Sequence, residues 1–481
     1  MNFNKKLAVA VSGAVLLMAG QFALADSTTD IVDALVAKGV LTEEEGKLIS
    51  KGHDSKKKAD GTVGFKNGFK INSGDGKSNF AVSGRIQADY RYFDTPENSS
   101  NGSTASTAAD TFDVRRAYIG AKGTFRNFIN YEATVDGAGS SAYLKYFWLE
   151  TAFSDLVKVR FGQFKPMFGL EQNTSSRFID MTERDWAASM AIGVTKGVMV
   201  HGSPRAGVNY ALYANNGSQA SSYLSDASQT SVETLNSGDG KQLGVNLRVN
   251  IAEIVGNKEA IMHLGGSVAT ENDASRGANS SAAFRTNARG TTFFTTQASL
   301  FPQSMDLTRT GLEGIGAFGP MKLQAEYARM SFKDTGLDAS NHKDINAWYV
   351  NASYMLTGET YASSYKNGVM ERMSPKADYL GLGSAGWGAW EIGVRYSRFD
   401  ASDFDTNASA VNNSTTLSSN DVNSYTAGIK WITDPNTRFM LNYVYTDFNK
   451  DISGISSGIT TSGVPLHNHE KAVNVRAQFD F

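Results

Sequence analysis

The sequence predicts an all-β protein, a 16-stranded antiparallel transmembrane β-barrel with a short helical periplasmic segment at its N-terminus. Three observations support this fold class. Many segments of strand length alternate apolar and polar residues with a period of two, which gives each strand one oily and one wet side. Short turns alternate with long polar loops, as in outer-membrane barrels. The last residues, 472–481, alternate without error and end on Phe481, and a tilted strand of about ten residues crosses a membrane.

The N-terminus predicts a secretory signal peptide over residues 1–25. Two lysines precede an apolar run at residues 7–18, and Ala23-Leu24-Ala25 is a small-x-small cleavage motif. The apolar run is too short for a helix that spans a membrane. We therefore expect export from the cytoplasm and exclude these residues from the fold.

Residues 26–60 are expected to form a short helical periplasmic segment and a linker. Thr42 and Glu45 have the spacing of a capping box, in which each side chain bonds a free backbone N–H group of the other. One strand–turn rhythm runs through the rest of the chain. Residues 61–481 are therefore predicted to form a single barrel domain.

Composition limits the class of function. The chain has no cysteine, 46 basic residues and 48 acidic residues, so neither a disulfide nor thiolate chemistry is expected, and nothing suggests nucleic acid as a partner. No nucleophile motif or glycine-rich phosphate loop is present. Only His467 and His469 stand close together, and two histidines alone rarely form a metal site. We expect neither an enzyme nor a cofactor.

The predicted strands are separated by recognisable links. Gly123-Thr124-Phe125, Ser203-Pro204-Arg205 and Gly319-Pro320 have turn chemistry, whereas the connection at 359–386 is long where a short turn is expected. An even number of strands puts both chain ends on the periplasmic side. The predicted strands are centred on 78–93, 111–123, 126–137, 142–153, 156–164, 192–202, 206–214, 239–250, 261–271, 306–318, 321–332, 344–358, 387–400, 422–433, 437–449 and 471–481.

A barrel of this size predicts a pore. Closure removes the sheet edge that hydrocarbon cannot accommodate, and about sixteen strands leave a water-filled channel where eight would fill it with side chains. A narrowing must then come from a loop that folds inward, and the best candidate is residues 165–191, whose many apolar groups should pack onto something. The alternative is a lid over the mouth. The charged candidates in this loop are Glu171, Arg177, Asp180 and Arg184.

The strand alternation assigns somewhat more basic than acidic side chains to the lumen. Rings of Arg and Lys are the device by which anion pores select. The adjacent pair Arg115 and Arg116 needs an explanation, because neighbours on a strand face opposite sides. A rim position, a bulge or a subunit contact would each keep both from lipid. The arginines assigned to the lumen include Arg85, Arg116, Arg248, Arg309 and Arg395.

Seven short motifs in the predicted barrel form a recognisable combination. They are Gly84-Arg85-Ile86-Gln87-Ala88-Asp89-Tyr90, Arg115-Arg116-Ala117-Tyr118, Phe161-Gly162-Gln163-Phe164, Phe168-Gly169-Leu170-Glu171, Thr174-Ser175-Ser176, Leu356-Thr357-Gly358-Glu359 and Gly388-Ala389-Trp390-Glu391. Together they resemble the phosphate-selective porin family (porins O and P), over nearly the whole of 61–481. The resemblance implies a homotrimer of 16-stranded barrels whose lumen carries a ladder of arginines.

The resemblance also implies roles for individual residues. The matched residues are Arg85, Arg115 and Arg116 at ladder positions with Tyr118 beside them, Arg285 and Arg289 as candidates for further ladder positions, and Lys66, Lys70 and Lys77 as a lower lysine cluster. This chain departs from the phosphate-specific pattern at four other places. Lys145 replaces an acidic constriction residue and Lys165 replaces an aromatic residue, while Gln172 and Ile129 replace lysines.

These departures support anion preference more than phosphate specificity. We therefore expect an outer-membrane porin of bacteria that forms a water-filled, anion-selective channel for small solutes such as phosphate. Its expected partners are small anions, outer-membrane lipid and two further copies of the chain. Two alternatives remain open, which are a general or sugar-selective porin and a surface-binding barrel with little conductance.

Overall fold

The computed structural model describes most of the predicted barrel and little of the N-terminal segment. The described residues are 40–49, 62–64, 68–94, 110–139, 141–216, 241–274, 283–296, 305–334, 342–383, 385–404, 419–453 and 466–481, with a few single positions between 32 and 38. The predicted signal peptide and Lys66 lie outside them. The chain divides into two compact units, one with residues 1–64 and 71–79 and the other with 65–70 and 80–481.

The first unit contains the capping box. Residues 43–49 are helical. Thr42 N donates to Glu45 Oε2 at 2.9 Å, and Glu45 N donates to Thr42 Oγ1 at 3.2 Å. The hydrogen bonds from Thr42 lower the pKa of the Glu45 carboxyl. None of the described helices of the protein is long and apolar enough to cross a membrane.

In the described part of the second unit, sixteen antiparallel strands close into a barrel, which confirms the predicted fold class. The barrel strands are β1 (Asn79–Asp94), β2 (Thr111–Phe125), β3 (Ile129–Asp136), β4 (Tyr143–Ala152), β5 (Lys158–Phe164), β6 (Thr195–Arg205), β7 (Val208–Asn216), β8 (Lys241–Asn250), β9 (Ala260–Ala274), β10 (Met305–Phe318), β11 (Met321–Asp334), β12 (His342–Met355), β13 (Ala389–Asp400), β14 (Asp421–Asp434), β15 (Thr437–Ser453) and β16 (Leu466–Asp480).

The barrel closes between its first and last strands. β16 pairs with β1 from Lys471 opposite Asp94 to Asp480 opposite Arg85. Each other strand pairs with its neighbours in sequence. A sheet without an edge leaves no row of unpaired backbone groups facing lipid, which is the condition for crossing a bilayer.

Two predicted turns lie at the wrong residues. The turn expected at Gly123-Thr124-Phe125 is made by Arg126 and Asn127, whose φ angles are 53° and 55°. Two successive positive φ angles are typical of the tight hairpin turn that matches strand twist. The turn expected at Ser203-Pro204-Arg205 lies instead at residues 206–207, where Gly207 has a φ of 77°. Turn composition correctly predicted that hairpins exist at these two places. The turns themselves lie two to three residues further along the chain than predicted.

The outer face of the barrel is apolar and exposed. On β8, Leu243, Val245 and Leu247 point outward, as the alternation predicts. Rings form two bands on β12 to β15. One band joins Trp348, Tyr396, Tyr425 and Tyr445, and the other joins Trp390, Trp431 and Phe439. Such bands are typical of barrels whose apolar belt faces lipid between two interfaces.

The inner face of β10 to β15 is apolar over much of its area, which strand alternation did not predict. Besides the loop that follows β5, two segments of the described chain fold into the barrel and supply its partners. The first is the hairpin of strands Ala283–Arg285 and Thr292–Thr295, whose Phe284, Phe293 and Phe294 pack against wall residues such as Phe399. The second is the long connection at 359–386, whose Tyr361, Met370 and Met373 pack on the wall near the short turns.

Gly162 on β5 leaves no room for a side chain. Its φ is 122°, and a Cβ there would lie 2.3 Å from the carbonyl oxygen of Phe147 and 2.8 Å from Trp148 Cα. Those atoms are backbone and cannot move aside. We expect Gly162→Ala to lower the free energy of unfolding by about 1–3 kcal/mol, measured by urea titration of the refolded barrel in detergent.

The matched control is Gly316→Ala on β10, where a Cβ would meet nothing within 4 Å. We expect its unfolding midpoint to stay within error of the parent protein. Equal destabilisation by the two substitutions would show that the close approach at Gly162 is unimportant.

Candidate pore constriction

The loop that follows β5 folds inside the barrel. Residues 165–191 contain two short helices, α1 (Leu170–Asn173) and α2 (Trp186–Met190). Phe168 packs with Phe164 and Met199 of the wall. On the other side Trp186 lies 5.4 Å from Phe293 of the hairpin, ring centre to ring centre. The apolar groups that predicted packing thus fix the loop between the wall and the inserted hairpin. We call it the constriction loop.

Ion pairs tie the constriction loop to the far wall. Arg395 donates to Glu171 Oε1 at 2.6 Å, and Lys322 donates to Asp180 Oδ1 at 2.5 Å. The N–H groups of Leu170 and Glu171 both donate to the Glu326 carboxylate at 2.7 Å. All of these charged side chains are buried. The loop is therefore held at several points along its length.

A third anchor lies on the near wall. Glu183 accepts from Arg115 Nε at 2.8 Å and from Arg476 Nη2 at 2.9 Å. Arg476 also donates to both oxygens of Asp89 at 2.7 Å. Burial alone would raise the pKa of the Glu183 carboxyl, but Arg115, Arg476 and Arg289 hold it well below its usual range. Glu183 is therefore a charged anchor among guanidinium groups.

A group of basic side chains lies where the constriction loop faces β1, β2 and β4. We call Arg85, Arg116, Lys145, Lys165 and Arg184 the cation cluster. Arg85 lies 4.2 Å and Lys145 lies 6.0 Å from the centre of the Tyr118 ring, so both cations lie over the same aromatic side chain. Cations over an aromatic face are attracted by its quadrupole.

Neutral oxygens orient the cation cluster. Arg85 donates to Ser176 Oγ at 2.5 Å and Arg116 donates to Gln87 Oε1 at 2.9 Å. Arg184 donates to the carbonyl oxygens of Glu171 and Thr174 at 2.9 Å and 2.8 Å. Lys165 donates to the carbonyl oxygen of Gln172 at 2.5 Å. These hydrogen bonds fix the directions in which the four side chains point.

Lys165 shows how closely the positive charges approach. Burial, together with Arg184, Lys145, Arg85 and Arg116, holds the pKa of the Lys165 ammonium well below its usual value. Like charges and desolvation both disfavour a charged group. An anion that entered the cluster would offset the repulsion and favour the charged form of Lys165.

Arg115 and Arg116 both face the lumen because the strand changes parity between them. Phe112 and Val114 are exposed before the pair, and Ile119 is exposed after it, so the outward positions pass from even to odd numbers. Both arginines are buried. A β-bulge produces this shift by adding one residue to a strand. Of the three explanations left open by the sequence, the exposure pattern fits a bulge.

The other arginines assigned to the pore lie outside the cation cluster. Arg248 donates to Glu313 at 2.5 Å and to the carbonyl oxygen of Gly169 at 3.0 Å, and Arg309 lies 3.3 Å from Glu271. With Arg395, they form buried pairs along the wall. Arg285 is exposed on the inserted hairpin and donates to Thr292 Oγ1 at 3.3 Å. Arg289 lies at the hairpin tip with a φ of 62°.

The structure brings Arg85, Arg115, Arg116, Tyr118, Lys145, Lys165 and Arg184 to the constriction. Lys70 and Lys77 are each exposed. Sequence reasoning assigned no role to Gln87 or Ser176, which orient Arg116 and Arg85. Both residues lie inside motifs that carry the family resemblance, and this position was the signal in the sequence that could have identified them.

Asp185 connects the constriction loop to the hairpin. Its carboxylate accepts from Ala187 N at 3.0 Å, which caps α2, and from Asn287 Nδ2 at 3.2 Å. Burial raises the pKa of Asp185 to about 6. Because burial favours the protonated form in the fold, the contribution of this carboxyl to stability falls as pH rises from its ordinary pKa of 3.8 to about 6, and it does not change further above that value.

Comparisons with known proteins show which chains this protein is similar to. The sequence model of the family described as "Phosphate-selective porin O and P" matches residues 80–481. Porin O of Pseudomonas aeruginosa is 26% identical over 415 residues, which cover 82% of this chain and 88% of that protein. Among solved structures, the outer membrane channel DcaP of Acinetobacter baumannii is 12% identical with a TM-score of 0.47, over 84% of this chain and 97% of that one. OprB of Pseudomonas putida is 10% identical with a TM-score of 0.48, over 85% and 95%.

Proposed function

The chain belongs to the phosphate-selective porin O and P family, and from this premise we propose that its pore selects anions, with phosphate-type oxyanions as preferred solutes. The protein is a porin of the bacterial outer membrane. The preference for anions over cations is the further step. The cation cluster is the single observation that carries it.

Three carboxylates of the constriction loop are already occupied by cations of the wall. Glu171, Asp180 and Glu183 of the constriction loop each form an ion pair with a wall residue. A paired carboxylate offers little attraction to a passing cation. Arg85 and Lys165, in contrast, make their described hydrogen bonds to a hydroxyl and a carbonyl oxygen. We therefore assign the anchoring of the loop to the paired carboxylates and the selection of the ion to the cation cluster.

Distance gives this positive charge its effect. At physiological salt, charges further than about 8–10 Å from an ion are largely screened, so charges on the wide parts of the barrel contribute little. At about 4 Å, a pair of charges is worth roughly 1 kcal/mol in bulk water and roughly 4 kcal/mol at an effective dielectric constant near 20. The constriction is where an ion passes within that range of several cations.

The residue types favour oxyanions over halides. A guanidinium group offers parallel N–H donors that match two oxygens of phosphate or carboxylate. Arg85 presents one such group over the Tyr118 ring, and Arg116 on the neighbouring strand presents a second. Chloride accepts from the same donors without that geometric match. Phosphate is therefore expected to bind longer than chloride and to block its current.

We also propose that the protein is a homotrimer embedded in outer-membrane lipid, as the family resemblance implies. Its exposed apolar belt supports contact with lipid. Mass measurement of the detergent-extracted protein tests the trimer, and a monomer alone would contradict it.

The function is tested by single-channel recording in planar bilayers. We expect reversal potentials under a KCl gradient to show anion selectivity, and millimolar phosphate to reduce chloride current. Arg85→Ala and Arg116→Ala should each weaken both effects, whereas Arg398→Ala, paired with Asp421 outside the cation cluster, should change neither. Cation selectivity would refute the proposal. Weak phosphate block would favour a general or sugar-selective porin, and negligible conductance a surface-binding barrel.

A further inference from the structure

A second group of arginines surrounds Phe178 on the side of the constriction loop that faces the short turns. Arg372 and Arg438 lie 5.5 Å and 5.2 Å from the centre of the Phe178 ring, and Arg177 precedes it in the chain. Arg372 belongs to the long connection at 359–386. Arg438 follows the short turn between β14 and β15 directly. We call Arg177, Arg372 and Arg438 the arginine triad.

Arg438 is buried and unsatisfied. It is 2% exposed, and its Nε and Nη2 atoms have no hydrogen-bond partner among the described residues. Its neighbours Phe439 and Leu441 are exposed to the outside of the barrel, so Arg438 points into the lumen. The Nε of Arg177 also has no partner within the described part of the chain. Leaving a buried charged donor unbonded is costly, and a ligand is one way to satisfy it.

The carboxylates near the arginine triad do not balance it. Asp480 pairs with Arg372 and also accepts from Gln478 Nε2 at 3.0 Å. Glu391 accepts from Lys430 at 2.8 Å. Glu132 accepts from Trp148 Nε1 at 3.2 Å and from Thr134 at 3.0 Å, and Glu371 is exposed. Of these four carboxylates, Asp480 is the one that forms an ion pair with an arginine of the triad within the described part of the chain.

The arginine triad is held in place from several sides. Gln478 Nε2 donates to the carbonyl oxygen of Arg177 at 3.2 Å, and Arg372 donates to the carbonyl oxygen of Pro435. The constriction loop, the long connection, β15 and β16 thus meet at Phe178. A site built from four separate segments is positioned by the fold and not by one mobile chain.

We propose that the arginine triad is a second oxyanion site, for phosphate or another tetrahedral oxyanion, which an anion occupies on the periplasmic side of the cation cluster. This inference rests on the proposed function, since it adds a second binding site to the same path of anions through the pore. A tetrahedral oxyanion offers oxygens in several directions and can meet three guanidinium groups. A carboxylate is satisfied by one or two.

The two sites are adjacent. Ser176 accepts from Arg85 of the cation cluster, and the next residue is Arg177 of the arginine triad. An anion that leaves one site therefore meets the other within a short distance. Adjacent sites allow one ion to displace the next, so each can bind firmly without stopping conduction.

The experiment measures block by inorganic phosphate added to one chamber at a time. Because the chain has no cysteine, Asp155→Cys in the short turn after β4 reports orientation through modification by an impermeant thiol reagent. The Asp155 side chain is 96% exposed. In this background we expect Arg438→Gln to raise the half-blocking phosphate concentration about tenfold or more from the periplasmic side. From the opposite side the change should be smaller.

Controls separate this inference from the proposed function. Arg438→Lys restores the charge and should recover part of the block, and Arg398→Gln should have no effect. Heat-modified mobility on gels confirms that each variant is folded. Unchanged block from both sides in Arg438→Gln, with anion selectivity and sensitivity to Arg85→Ala intact, would overturn the second site alone. A wild-type channel that phosphate does not block from either side would overturn both proposals.

Discussion

Replacing Lys165 by glutamate is expected to remove phosphate block and to lower anion selectivity more than any other single change in the pore. The substitution places a carboxylate where burial and four other cations already depress the pKa of the lysine. A charge reversal within about 4 Å of the ion path changes its energy by roughly 3 kcal/mol or more, which corresponds to about a hundredfold in half-blocking concentration. Single-channel titration with phosphate measures this shift.

The same substitution should leave the fold intact or stabilise it. The new carboxylate would be surrounded by the other members of the cation cluster, so the like-charge repulsion at this point becomes attraction. We expect an equal or higher urea midpoint together with loss of function, the pattern of a site that is strained for its task. Loss of folding would contradict the assigned environment of Lys165.

Lys158→Glu is the matched control, with the same charge change at the opposite end of β5 from the residue that precedes Lys165. Lys158 lies at the start of β5 and pairs with the exposed Asp155 at 3.8 Å. Seven residues of extended strand separate it from Lys165 by roughly 23 Å, beyond the range of screened charges. We expect its phosphate block to stay within about twofold of the parent channel. An equal effect of both substitutions would indicate that net charge, and not the constriction, determines selectivity.

Replacing Arg395 by methionine is expected to release the constriction loop from the far wall. Arg395 donates to Glu171 at 2.6 Å and stacks over the Tyr349 ring at 4.7 Å. Without it, the buried Glu171 carboxylate loses its cation, and breaking a buried pair from one side costs about 3–5 kcal/mol. We expect a lower urea midpoint, together with larger and noisier single-channel currents, because the loop no longer fixes the width of the pore.

The double variant Arg395→Met with Glu171→Gln tests the cause. Removing the stranded charge should recover most of the lost stability, to within about 1–2 kcal/mol of the parent protein. Glu171→Gln keeps an acceptor for the N–H group of Asp185, which donates to Glu171 at 2.8 Å. If the double variant were no more stable than Arg395→Met, the ion pair would not be what holds the loop.

The sequence predicted the barrel because the constraint is local and repeated. Side chains of a strand alternate by geometry, and lipid accepts only one of the two faces. The sequence of β8 alone therefore predicts that Leu243 faces outward and Arg248 faces the lumen. The structure places both side chains as predicted. The same rule did not predict the buried apolar residues on the inner face of β13 and its neighbours. Phe399 faces inward because the hairpin at 283–295 packs on it. The periodicity of a strand does not predict which distant segment will pack on its inner face.

For the candidate site, the sequence identified the residues, and the structure showed which of them form ion pairs. Motif resemblance named Arg85, Arg116 and Tyr118, and departures from the family pattern singled out Lys145 and Lys165. The sequence could not show that Arg248 and Arg395 are engaged by carboxylates. Ion pairing joins residues far apart in the chain, so face assignment alone counts every lumen arginine equally.

By itself, the sequence determined a closed barrel, its apolar outside and a lumen rich in fixed charge, because alternation and turn chemistry act between near neighbours. Only the tertiary structure decided which charges hold the constriction loop and which belong to the cation cluster. That division depends on contacts between segments more than a hundred residues apart, such as Lys322 with Asp180 and Arg476 with Glu183. Electrostatic energy falls steeply with distance and burial, so the positions of these groups, and not their number, decide what they do.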